Sequence, residues 1–275
     1  MPQKTFFITG ANSGFGLAIA QAALDAGHRV IGTVRSQTAR ASLLEQLPGV
    51  CAVLCDVTEF DRILAIVAQA EQDYGPVDVL INNAGYGHEG VLEESPLEEM
   101  RRQFDVNVFG AVAVAKAFLP HFRERRRGFV VNVTSMGGLI TMPGLAYYCG
   151  SKFALQGISD VMRAEMAPFG VYVTALCPGS FRTDWAGRSM VRTERAIKDY
   201  DALFDPIRAA RHAKDGKQSG DPAKLAAAVL QLVVSDTPPP QLLLGSDALR
   251  LVRERLFRLE KEIADWEEVT GSTDG

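Results

Sequence analysis

Tyr147 and Tyr148 stand side by side in LAYYCGSKFA, and their helical neighbours differ. The residue four after Tyr148 is Lys152, whereas the residue four after Tyr147 is Ser151, so in a helix only Tyr148 shares a face with a cation. A phenol titrates near ~10, too high to trade protons efficiently at neutral pH, and an adjacent ammonium favours the phenolate. Tyr148 therefore reads as an acid and base, and Tyr147 as a packing aromatic. Ser135, thirteen positions upstream, closes the apolar run GFVVNVTS. A hydroxyl there could donate to an oxygen as negative charge develops on it. Each residue has an ordinary alternative: helix-start packing for Tyr148, a surface charge for Lys152, a turn residue for Ser135. What favours chemistry is their joint arrival at strand ends.

Those strand ends belong to a repeating pattern. Short apolar runs alternate with helical ones: TFFITG, GLAIAQAALDAG, HRVIGTV, a polar helix, VCAVLCDV, a helix over 61–74, VDVLINNAG, a long helix over 97–122 and GFVVNVTS. A helix through SKFALQGISDVMRAEMAPFG, the run VYVTALCPG and the late run PQLLLG follow. Seven strands with crossover helices predict an α/β class protein, a doubly wound parallel sheet (Rossmann fold) with helices on both faces, in one domain spanning 1–275. The alternation stops between Arg182 and Pro222, where Trp185, Met190, Ile197, Tyr200, Leu203, Phe204 and Ile207 recur at loosely helical spacing. A strandless insertion emerging at a strand end reads as a lid, over about 185–220.

The first strand runs directly into ANSGFG and a helix. Gly10, Gly14 and Gly16, with Asn12, Ser13 and Phe15 among them, meet the demands of a pyrophosphate loop: a tight turn, close backbone approach and a helix N-terminus facing the charge. An oxidised nicotinamide ring near Tyr148 would add a second positive charge beside the phenol. The second strand ends GTVRS, with Val34 where an NAD-preferring protein usually carries an acid. Arg35, with Ser36 as helper, can pair with a 2′-phosphate, so the expected cofactor is NADP.

Composition removes other classes. Over 275 residues, 29 basic and 33 acidic side chains leave a net charge of −4, which sets up no field for nucleic acid. Cys51, Cys55, Cys149 and Cys177 are too scattered to staple the chain or to build a metal site, and read as core thiols. No stretch is apolar enough to span a bilayer and MPQKTFFITG lacks a signal-peptide pattern, so a cytoplasmic protein is expected.

TGANSGFG at 9–16, NNAG at 82–85, Asn107 in VNVFG, Ser135, YCGSK at 148–152 and PGSFRT at 178–183 together resemble the short-chain dehydrogenase/reductase family over roughly the first 185 residues. YGHEGVLEE, YCGSKFALQGIS and PGSFRTDWAGRS are similar to the branch of the 17β-hydroxysteroid dehydrogenases. The resemblance implies that Tyr148 is the general acid/base, that Lys152 lowers its pKa and binds the nicotinamide ribose, that Ser135 polarises the substrate oxygen, and that Asn107 holds a relay water. It also implies that Asp56 and Val57 meet the adenine, that Asn83, Ala84 and Gly85 approach the adenine-side ribose, and that Pro178, Gly179 and Thr183 hold the nicotinamide end. Asn82 reads as a structural hydrogen-bonder within its turn.

Tyr86, Met136, Met142, Phe181 and Trp185, with Leu139, Ile140 and Leu145, make an apolar set suited to a hydrophobic carbonyl compound or alcohol. His88 and Glu89 depart from it, and two readings stand: contact with a polar substrate group, or exposure to water. Residues 188–217 carry eight Lys/Arg and five Asp/Glu, explained as well by solvated helix faces as by an acidic substrate. Over 247–268, Leu249, Val252, Leu256, Leu259, Ile263 and Trp266 form one apolar stripe, which either docks on the protein's own sheet or faces a partner subunit. Family resemblance implies a homodimer or homotetramer through the helices near 97–122 and 152–169. The expectation is an NADP-dependent oxidoreductase interconverting a ketone or aldehyde with an alcohol. Its rivals are a non-catalytic NADP-binding sensor or scaffold and an NAD-dependent alcohol dehydrogenase; a nucleotide-sugar epimerase or dehydratase would need a larger C-terminal substrate domain.

Overall fold

Runs of β-branched and large apolar residues form the strands. In this computed structural model, which describes residues 2–183, 185, 187 and 189–274, nine strands are found among the described residues. They are β1 (Thr5–Thr9), β2 (Arg29–Val34), β3 (Cys51–Leu54), β4 (Val79–Asn82), β5 (Gly87–Glu89), β6 (Gly128–Val133), β7 (Val171–Pro178), β8 (Met190–Arg192) and β9 (Gln241–Leu244). Seven of them make one sheet in the order β3-β2-β1-β4-β6-β7-β9, with every described pairing parallel. The chain moves one way from β1 through β2 to β3, and the other way from β4 onward. Loops leaving the carboxyl ends of β1 and β4 therefore diverge and open a crevice.

The helices are α1 (Gly14–Asp25), α2 (Gln37–Gln46), α3 (Phe60–Tyr74), α4 (Leu97–Phe104), α5 (Ala111–Arg125), α6 (Ala146–Met166), α7 (Asp201–Ala213), α8 (Pro222–Leu232), α9 (Ser246–Asp265) and α10 (Glu267–Gly271). Because strand side chains alternate, Phe6 and Ile8 pack on α1 and α8 through Ile19, Ala23 and Val229, while Phe7 faces α3 and α5 through Val67 and Phe118. Both faces are covered, and near-continuous apolar runs such as TFFIT are the result.

Three departures from expectation bear on the site. The helix expected over 97–122 is broken by a π-helical turn, Asp105–Gly110, that turns Asn107 inward. Gly110 permits it, since a Cβ there would lie 2.8 Å from Val57 Cγ2. The segment expected to lack a strand contains β8, which pairs parallel with β5. Asn82 reaches beyond its own turn: its Nδ2 donates to Ala111 O (3.0 Å) and to Asn132 Oδ1 (2.9 Å). Asn132 Nδ2 in turn donates to Ser159 Oγ (2.8 Å), so a buried polar chain ties β4, β6, α5 and α6 together under the site.

No helix among the described residues is long and apolar enough to cross a membrane. The C-terminal helix docks only by its start: Ala248 and Val252 of α9 are buried, against Met136 and Ile140.

Candidate active site

The phosphate loop joins β1 to α1, and its glycines are required sterically. Gly10 has φ +66°, and a Cβ on it would sit 3.2 Å from Ala84 Cα. A Cβ on Gly16 would collide with Gly10 O. Thr9 Oγ1 accepts from the backbone N–H of Asn83 (2.9 Å) and of Ala84 (3.0 Å), while Asn83 Nδ2 donates to Thr9 O (2.9 Å) and Gly10 O (3.0 Å). The NNAG turn and the loop are thus clamped together. Ser13 starts α1 in extended conformation and its side chain makes no cap, so the first amides face outward. Asn12, Ser13, Gly14 and Thr183 stand at one edge of a cleft of about 950 Å³ that continues between α1, α2 and α8 along Leu17, Gln21, Gln46 and Pro222. Uncapped amides at a helix start and glycines that admit a close backbone fit a dinucleotide.

Toward the adenine side, Arg35 and Ser36 are exposed at the end of β2. Ser36 Oγ accepts from Ala39 N (3.2 Å) as the cap of α2, which leaves its proton free to donate. Asp56 Oδ1 is engaged by Thr58 N (2.9 Å) and Thr58 Oγ1 (2.7 Å), which sets the turn after β3. Val57 is buried beside Gly110.

Tyr148 and Lys152 both lie in α6, one turn apart and both buried, with Lys152 Nζ 5.9 Å from the centroid of the Tyr148 ring. Lys152 Nζ donates to Val133 O (2.9 Å) at the end of β6. Ser135 Oγ accepts from Gly137 N (2.9 Å) and lies beside the Tyr148 phenol, where it favours the charged form. Asn107 Nδ2 donates to Tyr86 O (3.0 Å) and Ser151 Oγ (3.0 Å), and its Oδ1 accepts from Tyr86 N (3.1 Å). A Cβ on Gly85 would lie 3.0 Å from Asn107 Oδ1 and 3.5 Å from Lys152 Nζ, so the two groups flank one point beside that glycine. Tyr147 is structural: its hydroxyl donates to Ser95 O (2.6 Å) and its ring stacks on His88.

Burial dominates the electrostatics here. Desolvation pushes the Tyr148 phenol above its ordinary range, and the hydrogen bond from Ser135 pulls it only partly back. The same burial lowers Lys152 to about 8. Burial thus outweighs the ammonium here: it penalises each charge separately, so the phenolate calls for further positive charge such as the oxidised nicotinamide expected from the sequence.

Around Tyr148, Leu145, Cys149 and Met190 are buried together, with Met142 and Trp185 packed on them and the Trp185 ring 5.0 Å from that of Tyr148. Met136 packs instead with Ile140 and α9, with Met142 bridging to it. Phe181, expected on the substrate side, lies elsewhere: its ring meets Phe15 edge to face at 5.3 Å in the core shared by α1 and α8, where Gly220 makes room for it. Neither His88 nor Glu89 faces water. His88 Nε2 pairs with Thr193 Oγ1 (2.9 Å), and Glu89 takes Arg192 Nε (3.0 Å) and Arg211 Nη1 (2.8 Å). Glu94 likewise holds Arg195 (2.9 Å). Arg192, Arg195 and Arg211, three of the basic residues expected on solvated faces or toward an acidic substrate, therefore fasten the segment after β7 to β5 and the loop that follows it; Asp184, Ala186 and Arg188 of that segment lie outside the described residues.

Three contributors were not singled out by sequence reasoning. Ser151 appeared only as the neighbour of Tyr147, yet its Oγ donates to Tyr148 O (2.7 Å) while accepting from Asn107. Met190 belongs by sequence to the segment after β7, yet it is buried against Tyr148. Asp247 Oδ2 accepts from Ser180 N (2.9 Å), and a Cβ on Gly179 would collide with that carboxylate. The glycine of PGSFRT was the visible signal; its cause lies 68 residues away in the fold.

A family model described as short chain dehydrogenase matches residues 4–193. The chain belongs to the short-chain dehydrogenase family. Among the relatives of this dehydrogenase, Oxidoreductase BOA17 of Botryotinia fuckeliana is 36% identical over 269 residues, covering 97% of this chain and 98% of the relative. The 3-ketodihydrosphingosine reductase of Bacteroides thetaiotaomicron is 36% identical over 241 residues, covering 87% of each. A short-chain dehydrogenase from Streptomyces avermitilis, of known crystal structure, superposes with a TM-score of 0.91 at 38% identity over 100% of both chains.

Proposed function

We propose that this short-chain dehydrogenase interconverts a hydrophobic ketone or aldehyde with its alcohol, using NADP(H), with Tyr148 as general acid and base. The observation that carries the reading is Tyr148 and Lys152 buried one turn apart, with Lys152 Nζ 5.9 Å from the Tyr148 ring and anchored on Val133 O at the carboxyl edge of β6, and Ser135 beside the phenol. Bound in that crevice, the dinucleotide supplies or accepts the hydride.

In the reducing direction, Tyr148 donates its proton to the carbonyl oxygen while Ser135 hydrogen-bonds the same oxygen. The phenolate left behind is costly in so buried a place, and the Lys152 ammonium offsets that cost. Asn107 and Lys152 flank a point where water could return the proton. Leu145, Met142, Met190 and Trp185 favour an apolar group beside the reacting carbon, and the Bacteroides relative is named as a reductase of a keto compound. Exposed Arg35, with Val34 in place of an acid, favours the 2′-phosphate of NADP.

The test is the absorbance of reduced nicotinamide with NADPH and NADH against a panel of ketones, aldehydes and alcohols. Tyr148→Phe should lower kcat/KM by about 10²–10⁴-fold while NADPH binding persists. Unchanged turnover in that variant rejects the mechanism, and absence of turnover in the parent across the panel would favour a binding role over catalysis.

A further inference from the structure

The thirteen residues of α9 after Val252, roughly 20 Å of helix, bury no side chain against the rest of the described chain. They nevertheless present Leu256 (58% exposed), Leu259, Ile263 (57%) and, just past the helix, Trp266 (65%) at alternating spacings of three and four. That spacing is a coiled-coil seam, too short to be stable as an independent rod, on a helix long enough to reach another body. The charges beside the seam are segregated. Arg250, Arg253, Arg255 and Arg258 dominate the first half, and Glu260, Glu262, Asp265, Glu267 and Glu268 the second; the exceptions are Glu254, which is paired with Arg250, and Lys261. This order opposes the helix dipole, which favours acids early and bases late, so it does little for the helix alone. Arg253 and Glu260 have no ion-pair partner among the described residues, and Arg255 is held only within its own helix, by Glu262 at 3.3 Å.

We infer that the exposed half of α9 pairs antiparallel with the same helix of a second copy of this chain. In that arrangement Leu256 of one helix meets Leu259 of the other, Arg253 faces Glu260, and Arg255 faces Glu262. The two-fold axis repeats each contact, giving four ion pairs around one apolar seam. A parallel pairing would keep Arg255 against Glu260 but set Glu262 against Glu267, a repulsion the antiparallel one avoids. A lipid surface is disfavoured because the acidic second half of the helix would meet anionic headgroups.

Charge exchange tests this on the full chain. One protein carries Arg253→Glu and Arg255→Glu; another carries Glu260→Arg and Glu262→Arg. By sedimentation, each should self-associate at least about tenfold more weakly than the parent, because four pairs turn from attraction to repulsion. An equimolar mixture of the two should regain the parent's association, since every contact is then Glu against Arg. Far-UV circular dichroism matching the parent's confirms that the helix persists. The proposal is overturned if either reversed protein associates like the parent, or if the mixture fails to recover. It is equally overturned if the parent is monomeric, and a monomeric parent that instead sediments with phosphatidylcholine/phosphatidylserine vesicles would assign the stripe to lipid.

Discussion

Lys152 is a cation held almost wholly out of water, and its hydrogen bond to Val133 O offsets only part of the cost. Burial lowers its pKa from 10.5 to about 8. Between those values the unfolded chain binds more protons than the folded one, so this group makes stability rise with pH through that window, and its cost is fully present below about 8. Lys152→Met should therefore raise the melting temperature at pH 7 while abolishing turnover, and the gain should shrink as pH rises from about 8 toward 10.5. Thermal unfolding at several pH values checks this; a variant less stable than the parent at pH 7 contradicts it. Arg35 acts at the opposite end of the crevice and in water. Arg35→Asp should reduce the preference for NADPH over NADH by about 10–100-fold, read as the ratio of kcat/KM values, because a charge-assisted pair becomes a repulsion. Equal use of both cofactors by the parent would dismiss the phosphate assignment.

Elements position these residues from a distance. The first turn of α9 holds the loop after β7 through Asp247, with Gly179 and Gly245 leaving space for the carboxylate. Asp247→Ala should raise KM for NADPH by about tenfold, the scale of one lost charged hydrogen bond, with a smaller change in kcat. Asp247→Asn, which keeps an accepting oxygen, should restore most of the loss. Equal damage from both substitutions would point to charge and not to loop position. The segment after β7 is held on the same principle: Glu89 at the end of β5 and Glu94 in the loop after it reach Arg192, Arg211 and Arg195. Glu89 is almost fully buried, so salt screens its pairs less than it would a surface pair.

The whole molecule is a parallel sheet whose strand order reverses beside β1, and that reversal makes the crevice. A ligand bound there touches loops after several strands at once and therefore stabilises the folded chain as a unit. NADPH at a hundred times its Kd should stabilise by about 2.7 kcal/mol, a shift visible in a thermal melt, and NADH at the same concentration should shift it less. Equal shifts from the two cofactors would count against selection at Arg35.

Local pattern determined the seven sheet strands, the phosphate loop and the i, i+4 placement of Tyr148 and Lys152, because period, glycine spacing and helical geometry act over a few residues. The tertiary structure decided what depends on partners remote in the chain. Asn107 is turned inward by a π-helical turn that Gly110 makes sterically feasible, against Val57. Phe181 has the composition of a substrate contact, yet a pocket against Phe15 and Gly220 claims it for the core. His88 and Glu89 read as polar residues free to meet solvent or substrate until β8 and α7 bring Thr193, Arg192 and Arg211 to them. Burial likewise set the direction of the Tyr148 shift, since the desolvation felt by a phenol depends on everything packed around it and not on the lysine four residues along.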